Sequence, residues 1–124
     1  VAETWAFAGD DTAVTPLEAV AGLRRRSAAG CLEAWFTSSA GRPLSVLTDT
    51  ERALVMLVDA DGGPGGHAVT PGAGDVSGGF RLASGQCDTY RDEDTVPLDE
   101  ALRIVRQVTG TGAPPADAGW RRDG

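Results

Sequence analysis

The side chains in this sequence whose types suit chemistry are few. They are one histidine, His67, two cysteines, Cys31 and Cys87, and a run of carboxylates between Asp88 and Asp94. An imidazole beside a thiol can generate a thiolate nucleophile, so His67 with Cys31 or Cys87 is one arrangement to weigh. The flanks of His67 match no nucleophile motif. Its place in a Gly/Pro-rich stretch predicts a solvated loop residue. The cysteines form neither a Cys-x-x-Cys pair nor a metal-ligand spacing. Both are expected to be reduced thiols serving as small apolar side chains; in an oxidising compartment each has only the other to pair with. The His-x-Glu and Pro-Cys-x-x-Cys signature of zinc deaminases is missing, as are a Gly-x-Gly-x-x-Gly turn and a nucleophile elbow. All eleven cationic side chains are arginine. The absence of lysine removes Schiff-base nucleophiles and the lysine of a phosphate loop. No catalytic residue, cofactor or metal ligand is expected.

The carboxylates need closer reading. Asp59-Ala60-Asp61-Gly62 opens like a calcium loop, but Pro64 stands where the sixth-position glycine belongs and Thr70 where the twelfth-position glutamate belongs. Asp88, Asp92, Glu93 and Asp94 admit three readings. They could hold a divalent ion or act as paired carboxylates on a glycoside. They could be a solvated acidic linker between a strand and a helix. Or, with Tyr90 among them, they could form an interaction surface, because tyrosine supplies anchoring area at low entropic cost. From residue 88 to residue 100 six carboxylates face one arginine, Arg91. Such a strip suits a basic protein partner, one whose own ligand is nucleic acid.

Charge narrows the partner further. Eleven arginines against eighteen acidic residues give a net charge of -7 over 124 residues. Both halves of the chain are acidic, so neither supplies the basic surface that direct nucleic-acid or anionic-membrane binding requires. The longest uncharged apolar run, from Ala53 to Val58, is far short of the ~20 residues of a membrane helix. The first residues carry no basic region followed by an apolar stretch, so a cytoplasmic location is expected. The length suits one domain over residues 1–124, with an apolar content of 41% sufficient for a core.

Elements that would position these groups follow from periodicity. Thr15-Pro16-Leu17-Glu18 reads as a capping box opening a helix over residues 16–29, with Leu17, Val20 and Ala21 on its apolar face, Leu23 beside it, and Arg24, Arg25 and Arg26 in its last turn. Period-two stretches at 31–37 and 43–47 and the apolar run at 53–58 read as strands. Adjacent strand residues face opposite ways, so Trp35 or Phe36, but not both, joins Leu102 and Val105 in the core. Residues 62–79 read as a long Gly/Pro-rich loop that hosts a short strand near His67. Two further strands are expected at 80–83 and 87–90 around Ser84-Gly85. The segment ahead of Pro97 is expected to be an exposed loop. A second helix over residues 98–109 has Pro97 at its first position, an Asp99–Arg103 pair on its wet face, and Gly110 and Gly112 as its stop. Trp120 belongs to a short last strand. The expectation is an α+β fold, a single antiparallel sheet covered by two helices.

In the C-terminal third, Gly85-Gln86-Cys87-Asp88-Thr89-Tyr90 is followed by Asp92-Glu93-Asp94-Thr95. Val96-Pro97-Leu98 then opens the helix that carries Ala101, Leu102 and Val105, with Gly110, Gly112, Pro114 and Trp120 beyond it. In order and spacing this resembles the first immunity-protein family of bacterial polymorphic toxin systems, and Leu32 to Phe36 and Leu54 to Val58 resemble its early strands. Two features depart from the family: Val108 stands where an aromatic is usual, and residues 62–79 have no counterpart. The resemblance implies a small cytoplasmic α+β protein without activity of its own. It would bind a cognate protein toxin, often a nucleic-acid deaminase, and cover its active cleft. Asp88, Tyr90, Asp92, Glu93 and Asp94 would then contact the toxin, with no small-molecule substrate. The alternative is a small enzyme or ligand-binding domain that uses the Asp88–Asp94 carboxylates or His67.

Overall fold

The computed structural model describes residues 3–59, 63, 65–82 and 84–123; the turn expected after Asp59 lies largely outside them. The chain runs β1 (Trp5–Phe7), α1 (Pro16–Ala28), β2 (Glu33–Ser38), β3 (Pro43–Thr48), β4 (Arg52–Leu57), β5 (Gly66–Ala68), β6 (Val76–Arg81) and β7 (Cys87–Arg91). A 3-10 turn (Asp92–Asp94), β8 (Val96–Pro97), α2 (Leu98–Thr111) and β9 (Trp120–Arg122) follow. This is an α+β fold. Seven strands form an antiparallel sheet in the order β1-β2-β3-β4-β5-β9, and β8 shares the edge of β4 with β5. β6 and β7 pair separately as a two-stranded ribbon, a second sheet that periodicity did not set apart from the first.

Alternation along the central strands divides the sheet into two faces. Ala34 and Phe36 on β2, Leu44 and Val46 on β3, and Ala53, Val55 and Leu57 on β4 point to the helices. There they form one apolar cluster with Leu23, Ala101, Leu102, Ile104, Val105 and Val108. Of the two adjacent aromatics, Phe36 is the fully buried one, and its ring lies 4.4 Å from that of Phe7.

α1 opens as its capping box requires: Glu18 N–H donates to Thr15 Oγ1 and Thr15 N–H donates to Glu18 Oε1. The buried face of α1 differs from the expected one. Ala19, Gly22 and Leu23 turn inward, Val20 packs only partly, and Leu17 is 63% exposed. Gly22 explains the rotation. A Cβ there would come within 2.7 Å of the Phe7 ring, so this small residue is what lets helix and strand approach closely. The Arg26 guanidinium lies over the Phe7 ring, 4.0 Å from its centroid. In α2, Ala101, Leu102, Val105 and Val108 form a buried apolar stripe, while Pro97 serves as the residue before the helix and not as its first turn. Gly112, with a φ of 84°, ends the helix. Arg103 pairs with Glu100 and Asp117 in place of Asp99.

The Gly/Pro-rich stretch holds the short strand expected near His67. β5 and the start of β6 lie inside it, and at Gly66 a Cβ would collide with the Trp120 indole of the neighbouring β9. Glycine there is a packing requirement. Cys31 and Cys87 are both free and exposed, which corrects their expected role as apolar filling.

Candidate functional site

The face of the sheet away from the helices carries the residues of interest. At one end of it, Arg52 on β4 donates from Nε to Thr95 Oγ1 (2.7 Å) and from Nη2 to Thr70 Oγ1, Asp92 O and Thr95 O (3.0 Å each). Thr70 Oγ1 also donates to Thr95 O at 2.6 Å. One planar guanidinium thus fixes the 3-10 turn over the sheet through a fork of charge-assisted bonds. From this turn, Asp92 Oδ1 accepts from Ser77 Oγ at 2.5 Å and lies 3.7 Å from Arg52 Nε.

The next two carboxylates are held from below. Glu93 accepts from Arg121 Nη2 and Arg91 Nη2, each at 2.7 Å. These two guanidiniums, Arg121 foremost, hold its carboxyl below the usual glutamate range. Asp94 Oδ1 accepts from Arg121 Nη1 at 3.2 Å and sits 3.1 Å from His67 Nε2. The segment expected as an exposed loop is therefore half-buried and cross-linked to β4, β5 and β9, and Thr95 and Val96 after it are buried. Apart from Arg91, the guanidinium partners of this run are remote in the chain, with Arg52 40 residues before Asp92 and Arg121 28 residues after Glu93.

His67 is likewise not a solvated loop residue. It sits on β5 with its side chain 13% exposed, Nδ1 2.7 Å from Asp123 Oδ1 and Nε2 facing Asp94. Both ring nitrogens are engaged by carboxylates from distant parts of the chain. Among the described residues no group of three or more His, Cys, Asp or Glu side chains is arranged to hold a metal ion. None of their helices is long and apolar enough to cross a membrane.

Asp88 and Tyr90 stand apart from the three tied carboxylates. They share one side of β7, and Tyr90 packs edge-on against the buried Phe80 with ring centroids 5.1 Å apart. Tyr90 OH donates to Asp88 Oδ2 at 3.2 Å, and Asp88 Oδ1 accepts from Gln86 Nε2 at 2.9 Å. Partial burial, then this bond and the nearby charges of Asp88 and Glu33, push the Tyr90 hydroxyl above the usual tyrosine range. The ribbon lies against β3, where Leu47 on the outer face is buried, and Gly79 faces Asp49.

Beyond the ribbon the outer face is open. Trp35 on β2, Ser45 on β3 and Met56 on β4 pair in one row across the strands. Trp35 is 45% exposed and Met56 41%. Trp35 Nε1 donates to Glu33 Oε2 at 3.2 Å, two residues along the same face. On its other side the row continues to His67 and then Arg121, both already paired with carboxylates. Strand alternation contains the signal for this patch: with Phe36 assigned to the core, Trp35 must face outward. Met56 was hidden because its run is apolar at every position, the pattern of a strand covered on both faces. No protein-family model and no curated protein sequence matches the chain.

Proposed function

We infer that this chain is a non-enzymatic inhibitor, an immunity protein that binds a basic, nucleic-acid-acting protein toxin in the cytoplasm and blocks its cleft. The observation that carries this reading is the outer face of the sheet. Asp88 with the partly buried Tyr90 on the ribbon and Glu33 with the half-exposed Trp35 on β2 place carboxylates and aromatics together on a braced surface. Exposed aromatic and methionine side chains gathered on one face characterise protein contacts. Proteins that grip nucleic acid collect arginine and lysine around their clefts, and a surface on a chain of net charge -7 competes for those groups.

Asp88 and Tyr90 remain contact residues in this reading. Asp92, Glu93 and Asp94 act first as the brace that mounts them and contribute to the negative field. Reversing those three to arginine would thus loosen the fold as well as weaken binding.

Co-expression with a candidate toxin encoded beside this gene tests the reading. Restored growth together with a co-purifying 1:1 complex supports it. Unrelieved toxicity with both proteins folded and present overturns it. So would stoichiometric metal at His67 or Asp88, or turnover of a small substrate by the purified chain.

A further inference from the structure

We propose that the row Trp35–Ser45–Met56 seats an arginine side chain from a basic partner, the guanidinium stacked on the Trp35 indole and its aliphatic stem along Met56. This rests on the reading that the partner is a basic protein.

The register supplies the shape. Two large side chains on β2 and β4 flank the small Ser45 of β3, and neighbouring strands lie roughly 4.8 Å apart. The walls of the slot therefore stand on backbones about 10 Å apart, room for one planar group laid over Ser45. Charge selects the occupant. The Glu33 carboxylate is pinned beside the indole by Trp35 Nε1. Its negative charge, with that of Asp88, is felt at Tyr90 nearby. The guanidinium at the far end of the row does not oppose a guest, because Arg121 is held by Glu93 and Asp94, and the His67 ring between them is engaged by Asp94 and Asp123. Arginine fits better than lysine. Its guanidinium is planar and weakly hydrated, stacks on aromatic faces, and forks onto carboxylates. The Met56 thioether adapts to the stem.

The probe is a short blocked peptide of alternating glycine and arginine, with its lysine twin as control, titrated into the labelled protein by NMR. Only three tryptophans and one methionine occur, so the indole N–H and the single S-methyl signal read the slot directly. Trp5 is buried and serves as an internal reference.

The expected result is movement of the Trp35 indole and Met56 methyl signals with the arginine peptide, about threefold tighter than with the lysine twin. Trp35→Ala should abolish it, and Met56→Lys should do so without removing any core side chain. Shifts scattered over the carboxylates with Trp35 and Met56 unmoved, or equal binding of the two peptides, overturn the proposal. The inhibitory reading is judged separately. A toxin neutralised at full potency by both variants leaves that reading intact and removes this slot. An arginine peptide seated on Trp35 by a protein that relieves no toxicity does the reverse.

Discussion

The two faces of the main sheet are built on opposite physical terms. The helix face is dry. Phe36, Leu44, Val55, Ile104, Val105 and Val108 are fully buried there, and its cohesion comes from apolar area and close packing. The outer face is held by directional bonds. Arg52, His67 and Arg121 reach up from β4, β5 and β9 to fasten the 3-10 turn, and a small separate group including Leu47 and Phe80 seats the ribbon. Apolar packing must cover a face completely to work, whereas a few guanidinium bonds can hold a ribbon over one end of a sheet. The second arrangement leaves Trp35 and Met56 uncovered in the space beside the ribbon.

Adjacent residues on β2 offer the sharpest way to break this comparison. Phe36→Ala removes a fully buried ring and should cost about 3–5 kcal/mol in urea unfolding. Trp35→Ala, one position away, should cost less than about 1 kcal/mol because its side chain is nearly half exposed. Equal losses would mean that the outer face is as much a core as the inner one.

The next largest effect belongs to the brace. Arg52→Met keeps the aliphatic stem but removes four donated bonds, three to Asp92 and Thr95 and one to Thr70, so the carbonyls of Asp92 and Thr95 each lose their charged donor. A loss of about 3 kcal/mol is expected. Hydrogen exchange should show the amides of β7 opening well before those of β3. Uniform loosening of both sheets would show that ribbon and main sheet are one cooperative unit.

How much of this was legible in the sequence follows from the range of the forces involved. Local signals worked. The capping box fixed the start of α1, the apolar stripe and Gly112 fixed α2, and alternation put only one of Trp35 and Phe36 inside. The inward face of α1 was not legible, because Leu17 is the better apolar residue by type. Its exposure depends on Gly22 meeting Phe7 from another strand. Nor was the brace legible. Nothing local to Asp92, Glu93 and Asp94 announces Arg52 or Arg121, and an acidic run with unseen partners reads as solvated. The short strand at His67 was legible, but the burial of its side chain was not, for the same reason: its two carboxylates lie 27 and 56 residues away.

Acid should weaken the outer face before the inner one. Glu93 has its carboxyl held below the ordinary range by Arg121 and Arg91. Its contribution is complete above the ordinary glutamate range and is lost as the pH falls through the lowered value. Arg121→Gln removes the leading cause, so the variant should be the less stable near neutrality and lose less on acidification. Urea midpoints followed from about pH 7 to about pH 3 should therefore converge. Parallel curves would mean that this pair is as weak as an ordinary surface ion pair.

The smallest effect tests the edge of the ribbon, at the only tyrosine in the chain. Tyr90 is pushed above the ordinary value of 10.0 mainly by partial burial, then by the bond it donates to Asp88. Burial and a neighbouring carboxylate both disfavour the phenolate. The sign for stability is the reverse of that for Glu93: the contribution is complete below the ordinary tyrosine range and is lost as the pH rises through the elevated value, because the unfolded chain ionises first. With one tyrosine present, the rise in phenolate absorbance reads this group alone. Its midpoint should lie above that of the unfolded chain in urea. Asp88→Asn removes the charge and the anionic acceptor but not the contact with Phe80, so it should return the midpoint only part of the way. A full return would assign the shift to Asp88 and leave the ring effectively solvated. No return at all would mean that the hydroxyl faces the sheet and not the carboxylate, removing Asp88 from the surface that Tyr90 shares with Glu33 and Trp35.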